Sequence, residues 1–257
     1  LTGGGLTLEG VEFRPAGQGL VSSLSEAQML QAGKHPGKIN LTDVDNGINI
    51  LQYLTAKPAA VILKHNNPSG AAWSDAGLAK AVERAFWSDR IAAFGGAVVV
   101  NRPLGKDTAE LINSFYFEVV AAPGFEPGAL DILKGRKNLR ILEIPALGDL
   151  SFLVGRPFLE VKSLVDGGMV VQFSFRNRIL SAQDFLPAKA VKDGADFLAR
   201  TPSAKEAEDL LFAWAVEAGV SSNSIIFARD GATVSVGTGE QDRVGCVDIT
   251  VSKAYTK

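Results

Sequence analysis

The sequence predicts an α/β protein whose sheet is covered on both faces. Short apolar runs alternate with segments of helical period between residues 46 and 144. The runs are apolar throughout, as in strands buried on both sides. The spacers between them are long enough for helical crossovers, the signature of βαβ units.

In order, Asn46 to Tyr53 reads as a helix, and residues 58–63 (PAAVIL) form the first buried strand. Residues 75–87 follow as a helix, with Leu78, Val82 and Phe86 on one face. Residues 97–100 (AVVV) are a second strand, 107–116 a helix and 119–122 (VVAA) a third strand. A helix over 126–134 then leads to a fourth strand over 139–144. The expected sheet is mainly parallel.

After about residue 150 the pattern changes. Residues 158–164 and 169–175 read as strands joined through Asp166-Gly167-Gly168, a hairpin signal. A helix over 203–218 follows Pro202. NSIIFAR and ATVSVG flank Asp230-Gly231, a second hairpin signal. The expected division is one α/β unit over 1–150, then connecting strands and part of a second unit over 151–257.

Composition narrows the function classes. The chain has 257 residues, 46% hydrophobic and 21% charged, with a net charge of −2. That balance excludes wholesale disorder and argues against a nucleic-acid partner, which needs a basic surface. No uncharged apolar run approaches the ~20 residues of a membrane span, and the N-terminus lacks the pattern of a secretory signal. Cys246, His35 and His65 are the only cysteine and histidines, too few for a zinc cluster. No metal, no membrane and no nucleic acid are therefore expected. The lone cysteine fits a reducing compartment, and a cytoplasmic location is the expectation.

The candidate chemistry lies at Lys64-His65-Asn66-Asn67-Pro68-Ser69-Gly70, where the first buried strand gives way to a polar turn. Ligands of open α/β sheets bind beyond the carboxyl ends of strands. A cation there can hold an oxyanion, and an imidazole can carry a proton near neutral pH. Two solvated side chains at a strand end are the alternative. Gly95-Gly96 allows close backbone approach by a ligand, or only a tight turn. Glu118 opens the third strand, where a surface acid is the plainer reading. Gly237-Thr238-Gly239-Glu240-Gln241-Asp242-Arg243 is a glycine-rich loop before an expected helix. It suits an anion at Arg243, although Glu240 and Asp242 oppose one.

KPAAVILKHNNPSGAA (57–72) resembles the transformylase part of the AICAR transformylase/IMP cyclohydrolase family, which carries a K-H-x-N-P-x-G-like turn. Further segments follow in family order. DRIAAFGG (89–96) is similar to D-P-x-S-A-F-G-G, and FEVVAAPGF (117–125) to E-V-I-I-A-P-x-F. RKNLRIL (136–142), GGMVVQ (167–172), DLLFAW (209–214), Ser222-Asn223-Ser224 and GTGEQDRV (237–244) also have counterparts.

The resemblance implies a three-layer α/β/α fold of cytidine-deaminase-like units, the second incomplete in this chain. It implies formyl transfer from 10-formyltetrahydrofolate, a co-substrate, to the 5-amino group of AICAR (aminoimidazole carboxamide ribonucleotide). It also implies a homodimer with shared sites. Lys64, His65 and Asn223 would be catalytic. Asn40, Gly95, Glu118 and Arg243 would bind substrate, the last on the folate side. A catalytically impaired nucleotide- or folate-binding relative is the alternative. A zinc deaminase is excluded by the missing H-x-E and P-C-x-x-C ligands. The family's phosphate-binding L-R-Y-G-x-N-P-H-Q stretch has no clear counterpart in residues 1–36. Its glycine-rich loop has glutamine and serine where this chain has Glu240 and Asp242.

Overall fold

The computed structural model describes residues 6–8, 10–13, 21, 28–33, 36–198 and 200–257. Its centre is an eight-stranded mixed sheet. The strands are β3 (Gln28–Gln31), β4 (Ala59–Lys64), β5 (Asn67–Trp73), β6 (Gly96–Val100), β7 (Phe117–Ala122), β8 (Arg140–Glu143), β13 (Ile225–Arg229) and β14 (Ala232–Gly237). Their order across the sheet is β13-β14-β5-β4-β6-β7-β8-β3. Small hairpins lie outside it: β1 (Leu6–Leu8) with β2 (Val11–Phe13), β9 (Leu159–Ser163) with β10 (Met169–Phe173), and β11 (Lys189–Lys192) with β12 (Ala195–Leu198).

The two-sided burial read from the apolar runs is present. In β4, Ala60 and Ile62 pack on one face while Ala59, Val61 and Leu63 pack on the other. β6 divides the same way, with Val98 and Val100 opposite Ala97 and Val99. One face is covered by α2 (Leu78–Ser88), α4 (Lys106–Ser114) and α5 (Ala129–Lys134). The other carries α1 (Lys38–Leu51) and α6 (Ala204–Glu217). The result is three layers. Short α3 (Arg90–Ala93) leads into β6, and α7 (Arg243–Thr256) packs along β14.

The expected mainly parallel sheet is corrected. β6, β7 and β8 are mutually parallel, but β4 is antiparallel to both of its neighbours, β5 and β6. The cause is β5, which the sequence hid: Asn-Pro-Ser-Gly reads as a turn, yet it begins a strand. The real turn is only His65-Asn66, at φ 55° and 62°. This two-residue left-handed connection returns the chain as a hairpin. α2 then carries the chain from β5 over β4 to β6, so the parallel crossover encloses an antiparallel strand. Helix α1 also starts earlier than expected, because the Asn40 side chain accepts the Gly37 amide at 3.1 Å.

Residues beyond 150 supply two strands to this same sheet. β14 pairs with β5 through Ala232 and Ala72, and β13 forms the edge. Ser203 caps α6 by accepting the Glu206 amide, one residue after Pro202, as the helix-start signal predicts.

Candidate active site

The strand directions decide where the site lies. Because β4 runs against β6, β7 and β8, its carboxyl end meets their amino ends. The carboxyl end of β14 and the amino end of β5 lie at that same edge. Lys64 therefore stands beside Gly95, Glu118 and the loops that flank β13 and β14. Lys64 lies at the carboxyl end of its strand, as expected, whereas Gly95 and Glu118 lie at the amino ends of β6 and β7, because β4 is antiparallel to β6.

The Lys64 ammonium donates to the Phe94 carbonyl at 2.5 Å. That bond uses one of three ammonium protons and leaves two for a ligand. His65 is exposed on the turn. The turn is clamped from below by α1. Asp43, 3% exposed, accepts the Asn66 amide at 2.6 Å. Burial pushes the Asp43 carboxyl above its ordinary value, opposed by the Asn66 amide and by nearby His65. Asn46 donates to the Asn66 carbonyl at 3.0 Å and to that of Gly219 at 2.8 Å.

Glu118 is not an isolated surface acid. Asn40 donates to it at 3.4 Å, and the mostly buried Arg140 lies 3.5 Å from the same oxygen. A Cβ added to Gly95, which has φ +75°, would come 3.8 Å from Glu118 and 3.6 Å from the Tyr116 ring. Phe94 and Tyr116 are exposed and pair with ring centroids 4.8 Å apart. The edge thus offers an ammonium, an imidazole, a carboxylate and an aromatic face.

Asn223 lies in the loop before β13. Its amide nitrogen donates to the Glu240 and Gln241 carbonyls at 3.0 and 3.1 Å. It therefore locks onto the glycine-rich loop. Arg243 is exposed at the start of α7. The two acids of that loop have local partners: Asp242 caps α7 by accepting the Gly245 amide at 2.7 Å, and Glu240 accepts the Gln241 amide at 3.0 Å. Aspartate and serine are comparable caps, so the change from the family's serine preserves the helix start.

Among the described residues no group of His, Cys, Asp and Glu could hold a metal ion. Nor is any described helix long and apolar enough to cross a membrane.

The AICARFT/IMPCHase bienzyme family model matches residues 15–253. The chain belongs to that family. Curated relatives agree. The chain is 35% identical to the bifunctional purine biosynthesis protein PurH of Bacillus subtilis, over 91% of this chain and 42% of the relative. The PurH of Cyanothece sp. is 38% identical over the same shares, and that of Cereibacter sphaeroides 41% over 86% and 39%. The chain thus spans about two fifths of these relatives' length. These relatives are, by name, bifunctional purine biosynthesis proteins.

Asp43, Asn46 and Arg140 were not singled out in the sequence, and Asn67 was placed in the turn without a role. Asp43 stands three positions after Asn40, a spacing that puts both on one helix face, and this was the available signal. Arg140 had only its place at the head of an apolar strand.

Glu217 supports the Asn223 loop from behind, accepting the Ser224 hydroxyl. Burial raises its carboxyl above the ordinary value, with Ser224 opposing. A raised folded-state value favours the protonated form. Its contribution to stability is full below the unfolded value of about 4.3 and is lost as pH rises through the folded value. Glu217→Gln is therefore expected to raise Tm near neutral pH and leave it unchanged below about pH 4. Equal Tm values for both proteins at neutral pH would contradict this.

Proposed function

We propose that this chain carries the formyl-transfer half of the bifunctional reaction. It moves the formyl group of 10-formyltetrahydrofolate to the 5-amino group of AICAR. The observation that carries this reading is Lys64-His65 on a rigid two-residue turn, at the sheet edge where Asn40, Gly95, Glu118 and the Asn223 loop converge.

The chemistry needs two aids. An aromatic amine is a weak nucleophile, so its proton must leave as the nitrogen bonds to the formyl carbon. The formyl oxygen then becomes an oxyanion, which needs a cation. His65 takes the amine proton and Lys64 faces the oxyanion. Collapse of the adduct breaks the bond to the folate nitrogen, which leaves with the proton His65 returns. Asn223 orients the reacting groups, and Arg243 meets the folate side. No metal takes part in this scheme.

The two cations separate in kinetics. Lys64→Ala is expected to lower kcat and raise the KM for AICAR, because its charge serves both bound and transition states. Arg243→Ala is expected to raise mainly the KM for the folate donor. An Arg243→Ala enzyme with altered kcat and unchanged folate KM would contradict the assignment.

The same reading calls for a homodimer. Val161, Met169, Val171 and Phe173 are exposed on the β9–β10 hairpin, and Phe197 on the separate β11–β12 hairpin, apolar side chains that a second copy would cover. Sedimentation at twice the protomer mass is expected, and a monomer at high concentration would count against it.

A further inference from the structure

The reacting pair and Asn223 come from distant parts of the chain, so something must fix their separation. Among the described residues, Asn67 joins them directly. Its side-chain carbonyl accepts the Ser221 amide at 2.9 Å and the Thr238 hydroxyl at 2.7 Å. Ser221 lies two residues before Asn223, and Thr238 opens the glycine-rich loop that holds the Asn223 side chain. The Gly239 amide donates to the Ser221 carbonyl at 2.9 Å and closes the junction. Asn46 bridges the same two segments from the α1 side, through the carbonyls of Asn66 and Gly219.

We infer that Asn67 is a positioning residue for formyl transfer, holding the Lys64-His65 turn in register with the Asn223 loop and the glycine-rich loop. The inference rests on Lys64 and His65 being the reacting pair. Asn67 acts through its neighbours and need not touch either substrate. Its oxygen serves both donors, while its amide nitrogen reaches, among the described residues, only the His65 carbonyl, at 3.5 Å. A lost tether leaves both substrates' contacts in place but loosens the reacting geometry, which appears in kcat rather than KM.

The test uses the full enzyme with AICAR and 10-formyltetrahydrofolate, and normalises rates to folded protein. Asn67→Ala is expected to lower kcat about 10–100-fold and leave both KM values within about threefold. Thr238→Val removes one of the two bonds and should lower kcat by about 3–10-fold, with Thr238→Ser restoring it. The double variant Asn67→Ala/Thr238→Val should lose less than the product of the two single losses, because the changes share the Asn67–Thr238 bond, although the Thr238 hydroxyl also reaches the Ser221 carbonyl at 3.0 Å. Wild-type kcat in Asn67→Ala, or a loss confined to KM, overturns the inference. Should Asn67→Ala not fold, equal rates in Thr238→Val and Thr238→Ser overturn it alone. Turnover by His65→Ala is measured alongside. Its loss together with an intact Asn67→Ala rejects the tether only, whereas its persistence rejects the reacting pair itself.

Discussion

His65→Ala is expected to reduce kcat for formyl transfer by about 10²–10⁴-fold while the KM for AICAR changes little. A group that accepts a proton as the bond forms acts on the transition state and not on ground-state binding. The position complicates the test, because His65 has φ 55°, where side chains other than asparagine, aspartate or histidine are uncommon, alanine among them. A loss in the alanine variant could then come from a disturbed turn. Asparagine resolves this, since it tolerates the left-handed region but is no base near neutral pH. His65→Asn should keep the turn and lose as much activity as His65→Ala. If His65→Asn retains activity and His65→Ala does not, the imidazole serves the turn, and the proton-transfer role is wrong.

Gly70→Ala is expected to destabilise the fold by about 3 kcal/mol or more, in the range of severe overpacking. Gly70 lies in β5, where α2 crosses the sheet. A Cβ there would overlap the Ala85 carbonyl oxygen and sit 2.8 Å from Ser88 Cβ and 3.0 Å from the Ala85 carbonyl carbon. The obstacle is mostly helix backbone, which cannot rotate aside. α2 must lift from the sheet, and its seam of Ala81, Val82, Ala85 and Phe86 loosens with it. A fall in Tm of about 10 °C corresponds to that cost in a chain of this size. β5 starts at Asn67, so activity should fall in parallel. A Gly70→Ala protein melting within about 2 °C of wild type would show that α2 yields at little cost.

How much of this was legible in the residues depends on which rule the chain obeyed. Central strands β4, β6 and β7 were plain, because burial on both faces demands unbroken apolar runs. Two of the three late hairpins were plain as well, through Gly167-Gly168 and Asp230-Gly231, while β11–β12 was not read although Asp193-Gly194 turns it. β5 was hidden. Its Pro68 and Gly70 belong to turn chemistry by composition, yet Gly70 is there for helix contact and His65-Asn66 makes the turn. That missed strand turned β4 against β6, and β3, also unread in the sequence, adds an antiparallel edge on β8, so the sheet is mixed and not mainly parallel.

The site followed the same logic. Lys64 and His65 could be picked out because an apolar strand stops at them. Asp43 and Asn67 had weaker signals, a helix-face spacing and a place in the turn, and were given no role because their partners lie far along the chain. Glu118 looked like a plain surface acid until Asn40 and Arg140 were found against it.

The most direct test of the account is formyl transfer by the purified protein, with 10-formyltetrahydrofolate and AICAR, followed beside cyclisation of the formylated ribonucleotide. Transfer by the wild type is expected, lost in His65→Asn, with any cyclisation unaffected by that substitution. Cyclisation by the wild type without formyl transfer, or cyclisation lost in His65→Asn while formyl transfer persists, would contradict it.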